Sequence, residues 1–83
     1  MMSLEELHIG MKVYFVQHKP GTEPYVNSAF ITSKEYVCRH PDTGEPLYPA
    51  TSSYREAPML LRLEEIFPSE EEAGNTIAQM REV

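Results

Sequence analysis

Two short segments carry side chains whose types could do chemistry. Asp42-Thr43-Gly44 is the tripeptide with which paired aspartates share a proton in peptide hydrolysis, a chemistry that needs an apolar strand before it and a second such aspartate. Here His40-Pro41 precedes and Glu45-Pro46 follows. Pro-Asp-x-Gly is turn chemistry in its own right, so the tripeptide reads as a turn. Cys38 and His40 would share one face of a strand, and with His8 and His18 they make four ligands for tetrahedral zinc. Structural zinc sites come as two close ligand pairs, and only Cys38-x-His40 is such a pair. A buried, inert cysteine beside a solvent-facing histidine is therefore expected, with no metal and no cofactor. As nucleophile and base the same two residues are forced by their i,i+2 spacing, and no orienting acid accompanies them. The chain is read as non-catalytic, not an enzyme.

Side chains suited to holding a partner are more numerous. Five tyrosines stand without a tryptophan, and Tyr25, Tyr48 and Tyr54 lie in or beside irregular, proline-containing segments. Amphipathic rings near Pro and Arg suit protein contact, so Tyr48, Tyr54 and Arg55 are candidate anchors, while tyrosines can equally plug the ends of a small barrel with the hydroxyl wet. Acids form the second group. Residues 1–63 hold seven acids and six bases, net −1; residues 64–83 hold six acids and only Arg81, net −5, together the formal −6 of the chain. Glu64, Glu65, Glu70, Glu71 and Glu72 are thus candidate docking residues for a basic partner, against the alternative of a solvated helical turn. No two bases adjoin, which disfavours a phosphate-tracking surface; a nucleic-acid-binding barrel using Lys12, Lys34, Arg39 and Arg55 stands as the alternative.

At 83 residues the chain makes one domain, 1–83, burying roughly 60% of the surface its unfolded form exposes. One cysteine cannot form an internal disulfide, which points to a reducing compartment. Met1-Met2-Ser3-Leu4-Glu5-Glu6 carries acids where a signal peptide needs a basic and then an apolar stretch. No segment approaches the ~18 continuous apolar residues of a membrane span. A cytoplasmic protein is expected.

The elements that must position these side chains follow from capping and periodicity. Ser3-Leu4-Glu5-Glu6 fits a capping box opening one helical turn over residues 4–8, with Leu4 and Leu7 pinning it to the core and Gly10 ending it. Met11 to Gln17 is β-branched and aromatic, with Met11, Val13 and Phe15 on one face, and with Tyr14 and Val16 making the other face apolar as a strand covered on both sides requires. Pro20-Gly21 sits in a loop, residues 25–32 read as a second strand, and residues 34–39 as a third. Pro41-Asp42-Thr43-Gly44 closes a hairpin onto a return strand expected to be short, Leu47-Tyr48, because Pro46 and Pro49 cannot donate to a ladder. Residues 50–58 have no clean period. Met59 to Leu63 reads as a last strand continuing to Phe67, broken by Pro68. Ser69-Glu70-Glu71-Glu72 is a second capping box opening a helix with Ala73, Ile77 and Met80 on one stripe.

Two stretches carry a resemblance. Residues 3–14, Ser3 through Tyr14, resemble the entry of small SH3-like β-barrels, where a short turn and a glycine feed a first strand. Residues 65–73, Glu65 through Ala73, are similar to the strand, cap and Glu-Glu-Ala helix that end many short uncharacterised proteins of phages and mobile elements. The resemblance implies a compact barrel with a C-terminal helix, from an accessory gene. The fold expected is mainly β, a small SH3-like barrel of about five strands with an N-terminal helical turn and one C-terminal helix; the rival is α+β, a curved antiparallel sheet with one helix. The expected core is Val13, Phe15, Phe30, Ile31, Val37, Leu61, Leu63 and Phe67. The expected function is a protein–protein interaction module, an accessory inhibitor or adaptor whose partner is another protein.

Overall fold

The computed structural model describes residues 2–52 and 58–81. A 3-10 turn at Leu4–Glu6 leads into strands β1 (Lys12–Gln17), β2 (Tyr25–Ile31), β3 (Cys38–Arg39), β4 (Pro46–Thr51) and β5 (Met59–Arg62). A second 3-10 turn, Leu63–Glu65, precedes β6 (Ile66–Phe67) and helix α1 (Glu70–Arg81). All strand pairs are antiparallel. β1 pairs along its whole length with β2, Lys12 opposite Phe30 and Gln17 opposite Tyr25, and on its other edge with β6, Phe15 opposite Ile66. One edge of β4 meets β3 and then β2, and its other edge meets β5, Tyr48 opposite Leu61. β5 and β6 thus lie at opposite ends of the sheet, yet three residues join them, so the sheet must curl. The fold is mainly β: a curled half-barrel with one C-terminal helix and a short N-terminal turn.

The return strand β4 is longer than its prolines predict, and the hydrogen bonds say why. Thr32 donates its N–H to the Pro49 carbonyl, and Val37 donates to the Leu47 carbonyl. A strand residue turns its N and its O to the same neighbour, so Pro49 faces Thr32, just past the last rung of β2, where that strand gives way to β3. The missing donor falls where the ladder changes partner, a place that tolerates proline. By contrast β3 is shorter than the expected 34–39. Its chain is diverted at Ser33, whose hydroxyl accepts the Glu35 N–H.

The interior is built by strand alternation. Val13 and Phe15 of β1, Ala29 and Ile31 of β2, Tyr48 and Ala50 of β4, Leu61 and Ile66 pack with Met2 and Leu7, while Met11, Met59 and Leu63 lie partly buried against them. Four expected core residues are placed accordingly, and the others are corrected. Phe30 neighbours Ile31 in a strand, so only one can face inward; Phe30 is 44% exposed. Val37 lies before the two-residue β3 and is exposed. Leu63 is half-buried in a 3-10 turn rather than a strand. Phe67, opposite Tyr14, is half-buried on the sheet's other face. Leu4 is also exposed, and Met2 takes its place beneath the N-terminal turn. There Ser3 donates both its backbone N–H and its hydroxyl to the Glu6 carboxylate, and Gly10 adopts a φ of 88° as the turn's exit requires.

α1 covers the outer face, packing against β1, β2 and β6. Ser69 caps it, its hydroxyl accepting the Glu72 N–H at 3.2 Å. Of the expected stripe Ala73 is fully buried, Ile77 is half-buried and Met80 is exposed. Tyr14 and Val16 are half-buried on the face that α1 shares. β1 is therefore covered on both sides, as its sequence requires. No described helix is long and apolar enough to cross a membrane.

Candidate functional site

The hairpin that follows β3 is tied down at its base and its tip. His40 donates its N–H to the Glu45 carbonyl and accepts the Gly44 N–H, and its Nδ1 accepts the N–H groups of Asp42 and Thr43 at 3.1 and 3.3 Å. Gly44 has a φ of 75°. Asp42-Thr43-Gly44 accordingly occupies a turn. His40 is half-buried and an integral part of that turn, where a solvent-facing ring was expected. Cys38 is exposed rather than buried; it lies on the two-residue β3 at one end of the strand order. Among the described residues no three His, Cys, Asp or Glu side chains gather as metal ligands would.

The hairpin delivers Glu45 to Arg62. β4 and β5 pair Leu47 with Arg62, and this register brings the residues flanking the hairpin against the second 3-10 turn. The Arg62 guanidinium stands 2.9 Å from the Glu64 carboxylate, 3.6 Å from that of Glu45 and 3.8 Å from that of Glu65. Glu65 also accepts the Arg62 backbone N–H at 2.8 Å. Three carboxylates against one guanidinium leave this cluster at net −2. Its side chains are a quarter to a half exposed, so the ion pairs are screened and add little to stability.

Beside this cluster opens a mainly apolar cleft of about 240 Å³, floored by Met2, Pro46 and Leu63 and rimmed by Glu45 and Glu64. Met2 is held there by its backbone N–H, which donates to the Leu63 carbonyl at 3.1 Å. A second cleft, polar and about 140 Å³, lies between the outer face of the sheet and the start of α1, lined by Lys12, Tyr14, Val26, Asn27, Ser28 and Glu70.

The acidic candidates divide between these two places. Glu64 and Glu65 belong to the apolar cleft and its charge cluster; Glu70 faces the polar cleft, and Glu71 and Glu72 are exposed in the first turn of α1. Tyr48 is corrected: it is 4% exposed and part of the core, because β4 turns it toward Leu61 and the interior, and it offers no surface anchor. Tyr54 and Arg55 lie outside the described residues. The basic candidates are also separated. Lys12 sits over the Tyr14 ring at 5.6 Å on β1, and Arg39 over the Tyr36 ring at 5.0 Å on β3, with β2 and β4 between the two strands. Lys34 stands in the connection before β3, and Arg55 is outside the described residues.

Sequence reasoning missed Met2, Glu45, Pro46 and Arg62. Met2 had a signal: an apolar residue just before the Ser3 cap is half of a hydrophobic staple whose other half is Leu7, and both are buried. The others had none, since Glu45 meets Arg62 only through the β4–β5 register. No family model, curated protein or solved structure matches the chain, so the site rests on its own geometry.

Proposed function

We propose that this protein is a non-catalytic protein–protein interaction module, an accessory inhibitor or adaptor, with the Met2–Pro46–Leu63 cleft as its contact site. The observation that carries this reading is an apolar cleft whose half-buried Pro46 and Leu63 reach solvent over the buried Met2, beside a carboxylate rim. At about 240 Å³ the cleft falls below the ~300–1,000 Å³ of small-molecule pockets and suits one partner side chain. An exposed free thiol at Cys38 suits a reducing cytoplasm. The separation of Lys12 from Arg39 speaks against the nucleic-acid reading, because phosphate binding needs its cations side by side.

The test is a selection of displayed random peptides on the full chain, repeated on a Leu63→Ser variant shown to be folded by circular dichroism. Peptides that enrich on the parent and not on the variant support the reading. Enrichment indifferent to Leu63, or a salt-dependent mobility shift of DNA or RNA in place of peptide binding, overturns it.

A further inference from the structure

We infer that the cleft takes an extended basic segment of a partner protein, one aliphatic side chain entering between Met2, Pro46 and Leu63 and an adjacent Lys or Arg settling against Glu45 and Glu64. This rests on the reading of the cleft as a contact site and specifies its occupant.

Charge complementarity selects that occupant. The three carboxylates around Arg62 outnumber its single positive charge, and Glu45 and Glu64 both direct their ion pairs at the same nitrogen, Nη1. Glu64 holds it at 2.9 Å, while Glu45 stands at 3.6 Å, beyond a hydrogen bond, so the Glu45 carboxylate keeps lone pairs for a second cation. Its backbone is already fixed: the Glu45 carbonyl accepts the His40 N–H at 2.8 Å and the Glu45 N–H donates to the Thr43 hydroxyl at 3.3 Å. The backbone at this rim position is thus ordered before binding, which leaves only the side chain to be ordered by a partner. The same charge repels the alternatives. An acidic peptide, a nucleic acid or an anionic lipid surface would bring phosphate or carboxylate against net −2, a like-charge contact that disfavours the wrong partner.

Shape agrees with charge. The apolar floor adjoins the carboxylates directly, Met2, Pro46 and Leu63 sharing one cleft with Glu45 and Glu64. A peptide residue entering the floor therefore carries its sequence neighbours onto the rim. One anchor supplies burial and the cation beside it supplies orientation and association rate.

The experiment uses the full chain labelled with nitrogen-15 and three synthetic peptides of about eight residues: a central Leu flanked by Arg, the same with Leu replaced by Ser, and the same with Arg replaced by Glu. The Leu-Arg peptide is expected to shift the amides of Met2, Glu45, Leu63 and Glu64, and to bind at least about tenfold more tightly than either other peptide. Its affinity falls as salt is raised. Glu45→Gln and Glu64→Gln, which keep the side-chain shape and the fold, each weaken it severalfold. Equal binding of the Glu-flanked peptide, or no shift with any of the three, overturns the inference and leaves the interaction module to be judged by the display selection. Shifts confined to Phe30 and Leu60, the latter an exposed residue of β5, overturn the cleft as the contact site while keeping the module.

Discussion

Glu65 caps the edge of the strand that precedes it, its carboxylate accepting the backbone N–H of Arg62 at 2.8 Å. Pro49 turns to β2, so its neighbours Tyr48 and Ala50 turn to β5 and meet Leu61 and Met59. Leu60 and Arg62 therefore direct their backbone groups away from β4, along an edge that no strand among the described residues pairs with. Open edges template pairing with other chains, and a carboxylate on the edge donor blunts that tendency. The same bond turns the chain out of β5 into the 3-10 turn, where the sequence alone predicts continued strand up to Phe67.

Removing the cap has two expected consequences. Glu65→Ala should lower stability by about 1 kcal/mol, a fall of about 4–8 °C in Tm for a domain of this size, with Glu65→Gln recovering most of it through its amide oxygen. The alanine variant should also self-associate at high concentration. Thermal unfolding and sedimentation velocity check the two; an alanine variant with the parent's Tm and mass shows the bond to be incidental.

Phe15 and Phe30 should respond differently to the same truncation. Phe15 is 7% exposed in the core and Phe30 is 44% exposed. Phe15→Ala should cost about 3–5 kcal/mol, comparable to the whole stability of a small domain, and Phe30→Ala less than about 1 kcal/mol. Urea unfolding followed by far-ultraviolet circular dichroism measures both.

This contrast also marks how far the sequence reaches. β1 is legible because its β-branched and aromatic run is apolar on both faces, and α1 because Ser69 caps it and three acids fill its first turn. β2 is less so: Ala29, Phe30 and Ile31 are consecutive apolar residues, and composition cannot say which parity faces inward. The β1–β2 register decides it, setting Ala29 opposite Val13. The site was legible only in halves. Glu64 and Glu65 stand out as acids, but their meeting with Glu45 and Met2 depends on contacts between residues distant in sequence, which no local pattern encodes.

Cys38 should react as a surface thiol. It is exposed, and the chain has no other cysteine. A small disulfide reagent should modify one thiol per chain in native buffer at a rate within a fewfold of that in denaturant, since the folded chain already exposes the thiol. Reaction that awaits unfolding would mean that Cys38 is covered.

Ala73 is the residue of α1 that is fully buried among those described, on a helix that packs against β1, β2 and β6. Yet it stands apart from the cluster that fills the half-barrel. The inward positions of β1 are Val13 and Phe15, so Tyr14 and Phe67 face the other side, where Glu70 at the start of the helix shares a cleft with Tyr14 and Ser28. A methyl group there lets the helix approach closely, and a larger side chain must push the helix outward. Ala73→Leu should therefore destabilise the protein by about 1–3 kcal/mol through overpacking, although leucine is as good a helix former as most. Ala78→Leu, at an exposed position of the same helix, should stay within about 0.5 kcal/mol of the parent. Chemical unfolding of the two variants side by side separates packing from helix propensity. Equal stabilities would mean that α1 sits on the sheet without depending on Ala73.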